Sequence, residues 1–238
     1  MRAIVFDSDG VLVDSMPSHY KAWKIAFKEV CDIDVDRRTI YLLEGMRGID
    51  LVKKVFELKN YHIDNDDNNN NNNNKQKIAE QVSQQKNEAF REILLSSPPQ
   101  AYRGVKHLIM NLVSCKKAVV SGSAREDVET LLKESLGKGN LFDTLITADD
   151  SEKGKPDPSS FMSALNKIKV PRSKALVVEN APLGVEAANN AGISCIVVLN
   201  NTPLNIQDFR SVISDDKIFK ETISAAGYIE GWCKSDPK

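Results

Sequence analysis

Arg2-Ala3-Ile4-Val5-Phe6-Asp7-Ser8-Asp9-Gly10 opens the chain with a short β-rich run that breaks into Asp-x-Asp-Gly. A strand followed at once by a turn is the simplest reading. What comes next decides the fold. Between Ser15 and Ala101 no strand pattern occurs. Tyr20, Trp23, Ile25, Ala26, Phe27 and Val30 place an amphipathic helix over residues 18–30. Helical spacing returns over 49–58, and again over a long polar stretch, 75–95, stopped by Pro98-Pro99. After Tyr102 short apolar runs alternate with helical stretches. Strands are expected at 117–120, 145–147, 176–178 and 196–198, the last of the core. Helices are expected at 105–112, up to Leu136 from a capping box at Ser123-Ala124-Arg125-Glu126, and at 158–168. A further helix, 185–191, is closed by Gly192. Continuous apolar strands separated by helices indicate a parallel sheet covered on both faces. The fold class is therefore α/β, a doubly wound parallel sheet, with an α-helical cap inserted straight after strand one. Residues 1–14 and 102–238 form the core and 15–101 the cap. Asp64 to Asn74, ending in seven asparagines, has nothing to bury and is expected to be a mobile surface loop within the cap.

Composition narrows the function classes. In 238 residues, 32 Lys and Arg stand against 33 Asp and Glu, a formal net charge of −1 with no basic block. That leaves no electrostatic footprint for nucleic acid. Apolar runs reach only a handful of residues, against about 20 for a spanning helix, so no membrane partner is expected. The first apolar run meets Asp7 too early for a signal peptide. Cys31, Cys115, Cys195 and Cys233 form no C-x-x-C pair and are expected to be free thiols in a cytoplasmic protein. A monomer or small homo-oligomer is expected.

In doubly wound sheets ligands bind outside the carboxyl ends of the strands. Asp7 and Asp9 follow the first strand, and Ser121, Gly122 and Ser123 the second. Asp149, Asp150, Lys153 and Lys155 come after the third, and Glu179 and Asn180 after the fourth. Acids, a hydroxyl beside helix N-terminal amides, and lysines suit a phosphate with a divalent metal. Taken singly, each piece also reads as an ordinary turn or cap. An EF-hand loop starting at Asp7 is excluded, because its twelfth position would be Ser18 instead of Glu.

Phe6-Asp7-Ser8-Asp9-Gly10-Val11-Leu12-Val13-Asp14-Ser15 resembles the signature of the haloacid dehalogenase superfamily. Val119 to Ser123, Lys153 to Pro158 and Val177 to Ala188 resemble its three later motifs, in the family's order. The helical cap resembles the subgroup holding β-phosphoglucomutase and phosphoglycolate phosphatase. The resemblance implies that Asp7 is a nucleophile forming an aspartyl-phosphate. It makes Asp9 the acid and base, and favours phosphoryl transfer over dehalogenation. It implies Mg²⁺ held by Asp7, the Asp9 carbonyl and the Glu179-Asn180 turn. Ser121, with the amides of Gly122 and Ser123, would hold phosphoryl oxygens, and Lys155 would neutralise their charge.

One position departs from the pattern: relatives carry Glu-Asp where this chain has Glu179-Asn180. Asn keeps an oxygen but loses a charge, which Glu179 or a nearby acid is expected to make good. In the cap, His19 and Trp23 share a helix face at i, i+4. With Ala22 and Lys86-Asn87 they resemble substrate-contacting residues of the subgroup. Arg47, in Gly45-Met46-Arg47-Gly48, sits one position from the subgroup's arginine. The expected function is a Mg²⁺-dependent phosphohydrolase of a small phosphorylated metabolite, such as a sugar phosphate. The alternatives are a phosphohexomutase using the same intermediate and a non-catalytic binding protein with a weakened metal site.

Overall fold

The computed structural model describes residues 1–61 and 71–234. Six parallel strands form one sheet: β1 (Arg2–Asp7), β2 (Cys115–Val120), β3 (Thr144–Ile146), β4 (Ala175–Glu179), β5 (Ser194–Val198) and β6 (Ile218–Phe219). Their spatial order is β3-β2-β1-β4-β5-β6. β1 is thus central, with Ile4 opposite Lys117 on one side and Leu176 on the other. Strand order reverses direction at β1, so the crevice beyond its carboxyl end is the natural binding site.

Side chains alternate along β1. Ile4 and Phe6 join one apolar layer with Leu176, Val178, Ile196 and Val198. Ala3 and Val5 join the opposite layer with Val177, Val197, Phe161 and Val185. Both layers are sealed by helices. On one side lie α5 (Val105–Asn111), α6 (Arg125–Leu136) and α9 (Thr222–Lys234). On the other lie α7 (Ser159–Ile168) and α8 (Pro182–Ala191). This two-sided burial is why the strands read as continuous apolar runs.

Between β1 and α5 the chain builds α1 (Met16–Cys31), α2 (Arg37–Leu42), α3 (Gly48–Leu58) and α4 (Asn71–Ser96). These close on an apolar core of their own, around Trp23, Phe27, Ile40, Val52, Phe56 and Val82. α1 starts with Pro17 in its first turn, where a missing N–H costs nothing. It ends at Asp32, whose left-handed backbone caps it.

Several expectations need correction. The expected loop at 64–74 lies partly outside the described residues. Asn71 to Asn74 form the first turn of α4 instead. Ser123 does not cap α6: the N-cap is Ala124, and the Arg125 N–H donates to Asp149 Oδ2 at 2.8 Å. A partner from the next loop has replaced the local one. Helices α2 and α9 and the edge strand β6 were not expected; each is short, or too uniformly apolar or polar to show a period. Cys115 and Cys233 are not free: they form a disulfide from the start of β2 to α9, 118 positions apart, with Cα atoms 5.6 Å apart. No local spacing signals such a pair. Cys31 and Cys195 are free thiols. Among the described residues no helix is long and apolar enough to cross a membrane.

Candidate active site

The chain leaves β1 in a tight turn. Leu12 and Val13 N–H groups donate to the Ser8 carbonyl, and the Gly10 N–H donates to that of Val13. Gly10 has φ +81°, and a Cβ there would lie 2.1 Å from Asn180 Nδ2. Only glycine allows both this turn and the close passage of Asn180. The turn leaves the Asp7 and Asp9 side chains buried in the crevice.

Asp7 is 3% exposed. Its Oδ1 accepts from Lys155 Nζ, which also donates to Glu179 Oε1. Its Oδ2 is buried with no protein partner. Burial pushes the Asp7 carboxyl well up, Glu179 and Asp9 push the same way, and Lys155 opposes them. Lys155 stays charged: burial works against it, but Asp7 and Glu179 more than offset that. Its backbone N–H donates to the Gly45 carbonyl at 2.9 Å, so the loop before α3 touches the core here.

Glu179 is wholly buried. Its Oε2 accepts from the N–H groups of Asn180 (3.0 Å) and Ala181 (3.4 Å). Both its oxygens are therefore committed. α8 passes so close that a Cβ on Gly184 would meet this carboxylate at 2.1 Å. Asn180 Nδ2 donates to Glu44 Oε2 at 2.8 Å, while Asn180 Oδ1 and Glu44 Oε1 are buried without partners. Burial, with Asp7 and Glu179 nearby, pushes the Glu44 carboxyl well up.

Asp9 faces the other way, toward the helical insertion. Its Oδ1 accepts from Ser15 Oγ (2.5 Å) and His19 Nε2 (3.0 Å), and its Oδ2 from Ser121 Oγ (3.0 Å). Burial alone would raise its pKa. The His19 contact, with the Ser15 and Ser121 hydrogen bonds, outweighs burial and holds it well below the usual carboxylate range. His19 itself is held below its ordinary value by burial and by Lys86, against the pull of Asp9. It is neutral at pH 7, so the contact is a ring N–H on a carboxylate, not an ion pair. Since a carboxylate only accepts, the proton sits on Nε2. The ring stacks on Phe90, centroids 3.9 Å apart. Ser121 Oγ also accepts from the Ser123 N–H at 3.1 Å.

Asp7 and Asp9 open into a cavity of about 320 Å³ between the insertion and the sheet. His19, Trp23, Arg47, Lys86, Gly122 and Ser123 all line it. Lys86 is 8% exposed, with its ammonium over the rings of Phe90 (4.8 Å) and Trp23 (5.4 Å). Burial lowers its pKa to about 8. Arg47 is exposed, and its guanidinium donates to the Glu152 carbonyl. Strand-end acids and insertion residues thus meet around one space, while Ser121 and Lys155 stand behind it, bonded to Asp9 and Asp7.

Two residues that bond to Asp9 and Asn180 carried no expectation. Ser15 ends the first motif and turns its hydroxyl onto Asp9. Glu44 directly precedes the Gly45 loop, and that adjacency was its one sequence signal.

The oxygens without partners test the fit to a cation. Asp7 Oδ2, Asn180 Oδ1 and Glu44 Oε1 are two carboxylate oxygens and an amide oxygen, a donor set that suits a hard divalent cation. Among the described residues no three His, Cys, Asp or Glu side chains converge as a ready cage. The set is mixed, with an amide in place of a third acid.

The chain is 28% identical over 203 residues to a phosphorylated carbohydrates phosphatase of Thermotoga maritima, covering 82% of this chain and 84% of that one. It is 25% identical over 203 residues to a fructose-1-phosphate phosphatase of Escherichia coli, covering 82% and 95%. A solved structure of a putative β-phosphoglucomutase from Bacteroides vulgatus matches with a TM-score of 0.79 at 28% identity, over 99% of this chain and 91% of that one. The family model of haloacid dehalogenase-like hydrolases matches residues 1–192. That span holds every strand end that supplies the crevice, and the chain belongs to the haloacid dehalogenase-like hydrolase family.

Proposed function

We propose that this hydrolase is a Mg²⁺-dependent phosphatase of a small sugar phosphate, working through a phosphorylated Asp7. The observation that carries the reading is the Asp7 carboxylate. One of its oxygens is fixed by Lys155, and the other is free at the end of the central strand, beside Asp9 and Ser121. Relatives named as phosphatases of phosphorylated carbohydrates and of fructose 1-phosphate support it. Residues 15–101 act as a cap that shapes the substrate pocket, and 1–14 with 102–238 as the catalytic core.

In the first step the Asp7 carboxylate attacks phosphorus through one oxygen, the ester P–O bond breaks, and Asp9 gives a proton to the leaving alkoxide. In the second, Asp9 takes a proton from water as the water oxygen attacks the phosphoryl group. Inorganic phosphate leaves and the Asp7 carboxylate returns. Asp9 starts as a carboxylate held by three donors, so the proton it gives is taken up as substrate binds, from solvent or from the acidic oxygen of a phosphate monoester monoanion. A phosphoryl oxygen that takes over the Ser121 hydroxyl removes one donor and brings negative charge close. Both changes raise the proton affinity of Asp9, as its acid role requires. Lys155 and the amides of Gly122 and Ser123 bind the phosphoryl oxygens. Asp7, the Asp9 carbonyl and Asn180 would hold Mg²⁺, which would supply positive charge to offset the repulsion between a carboxylate and a phosphate dianion.

Lys86 and Trp23 face the rest of the substrate, and a buried ammonium without a close carboxylate calls for an anionic or hydroxyl-rich partner. A mutase must grip a second phosphate, for which a planar Arg fork serves best. Arg47 spends its guanidinium on the Glu152 carbonyl, so water is the expected acceptor. We propose the cytoplasm as its compartment.

The test is phosphate release from a panel of sugar phosphates, with and without Mg²⁺, for wild type and Asp7→Asn. Mg²⁺-dependent release by wild type alone is expected. Release that persists in Asp7→Asn overturns the covalent route, and no release from any panel member overturns the phosphatase reading. Phosphorus NMR with β-glucose 1-phosphate and catalytic glucose 1,6-bisphosphate separates the alternative. Free phosphate, or no reaction, is expected, and glucose 6-phosphate without matching phosphate would identify a mutase.

A further inference from the structure

We infer that Glu44, on the helical insertion, is a ligand of the catalytic cation and supplies the negative charge that Asn180 lacks. The inference rests on the Mg²⁺-dependent reading above and adds to it a ligand from outside the core.

Glu179 sits nearest in sequence to the missing charge, but it has no oxygen to give. Lys155 holds Oε1, and the N–H groups of Asn180 and Ala181 hold Oε2. Asp9 has both side-chain oxygens engaged by Ser15, His19 and Ser121. Two acids of the site keep a buried oxygen with no protein partner: Asp7 at Oδ2 and Glu44 at Oε1. Asn180 Oδ1 is the third such atom, on a side chain 2% exposed.

The Asn180–Glu44 hydrogen bond orders this set. The amide nitrogen of Asn180 donates to Glu44 Oε2, 2.8 Å away, so the amide oxygen points elsewhere. The same bond fixes the Glu44 carboxylate and leaves Oε1 open. A neutral amide has thus brought in an acid from another part of the chain. Two carboxylates and an amide carry the same charge that two carboxylates from the core would carry, and all three are hard oxygen donors.

Glu44 lies between α2 and α3, one residue before Gly45, whose carbonyl accepts the Lys155 N–H. A cation held by Glu44 would therefore tie the insertion to the core, and cation affinity would depend on where the insertion sits.

The experiment is calorimetric titration of the full chain, without substrate, with Mn²⁺ and then Mg²⁺. The variants are Glu44→Gln, which keeps the shape and an acceptor for Asn180, Asn180→Asp, and the two combined. Melting temperatures without metal check that each variant is folded. Glu44→Gln should weaken Mn²⁺ binding by about tenfold or more. In the combined variant the carboxylate introduced at position 180 returns the charge, and affinity should recover to within about threefold of wild type. The metal-induced rise in melting temperature should follow the same order. Wild-type affinity in Glu44→Gln, or a combined variant no better than Glu44→Gln, overturns the role of Glu44 and leaves metal dependence standing. Wild type that binds neither ion overturns the metal-dependent reading and this inference together.

Discussion

Replacing Lys86 with Met should make the protein more stable and a worse enzyme. Lys86 lies in α4, 8% exposed, with its ammonium over Phe90 and Trp23. Burial takes its pKa from the ordinary 10.5 to about 8, with the more distant Asp9 and Asp127 only partly resisting. That difference amounts to about 3 kcal/mol of lost folding stability wherever Lys86 is charged. Met keeps the length and apolar stem but removes the charge. The cation–ring contacts that it gives up are worth about 1 kcal/mol. A net gain of about 1–3 kcal/mol is therefore expected at pH 7. The sign has its own test. Between about pH 8 and 10.5 the unfolded chain keeps a proton that the native state has released, so wild-type stability rises with pH in that window. The advantage of Lys86→Met should be full below pH 8, shrink through the window and vanish above it. Urea titrations of both proteins at pH 7, 9 and 10.5 read this directly, and KM for a sugar phosphate should rise in the variant at pH 7. A variant less stable than wild type, or an advantage independent of pH, would refute the claim that Lys86 is held charged at the expense of stability.

Asp7→Asn should lose nearly all turnover while melting like wild type, and folded variant keeping over about a tenth of wild-type kcat would remove Asp7 as nucleophile. Asp9→Asn should cost about 10²–10⁴-fold on an alkyl phosphate, and far less on a nitrophenyl ester, whose leaving group needs no proton. Equal losses on both esters would show that Asp9 is not the acid. Gly10→Ala should destabilise by more than about 1 kcal/mol, from its left-handed backbone and the clash with Asn180. Denaturant titration checks this, and wild-type stability would mean that the turn relaxes freely.

The strand ends were legible because chain-local signals fix them. Asp7, Ser121 and Glu179 each end or directly follow an apolar strand, and a parallel sheet brings such ends to one edge whatever the loops do. The helical insertion was legible from what is missing between Ser15 and Ala101. Other features are settled between segments far apart in sequence. Cys115 meets Cys233 only once α9 packs along the sheet. The cap of α6 passes from Ser123 to Asp149 because the next loop arrives there and offers a carboxylate. β6 is two residues long, too short to show any period.

The same distinction explains the two halves of the candidate site. Asp9 has its Ser15 and His19 partners within ten positions, so its surroundings are written into one stretch of chain. The surroundings of Asn180 are not. Its neighbour Glu179 is the obvious acid in sequence, yet Lys155 and two backbone N–H groups take both its oxygens. Glu44, 136 positions away, is the acid that reaches it. A substitution that weakens a site when read on its own motif is thus answered by a residue on another element, and the answer holds only while the insertion stays docked on the core. The chemistry of position 180 is therefore a property of the docked pair, which is why Glu44 and Asn180 should be varied together.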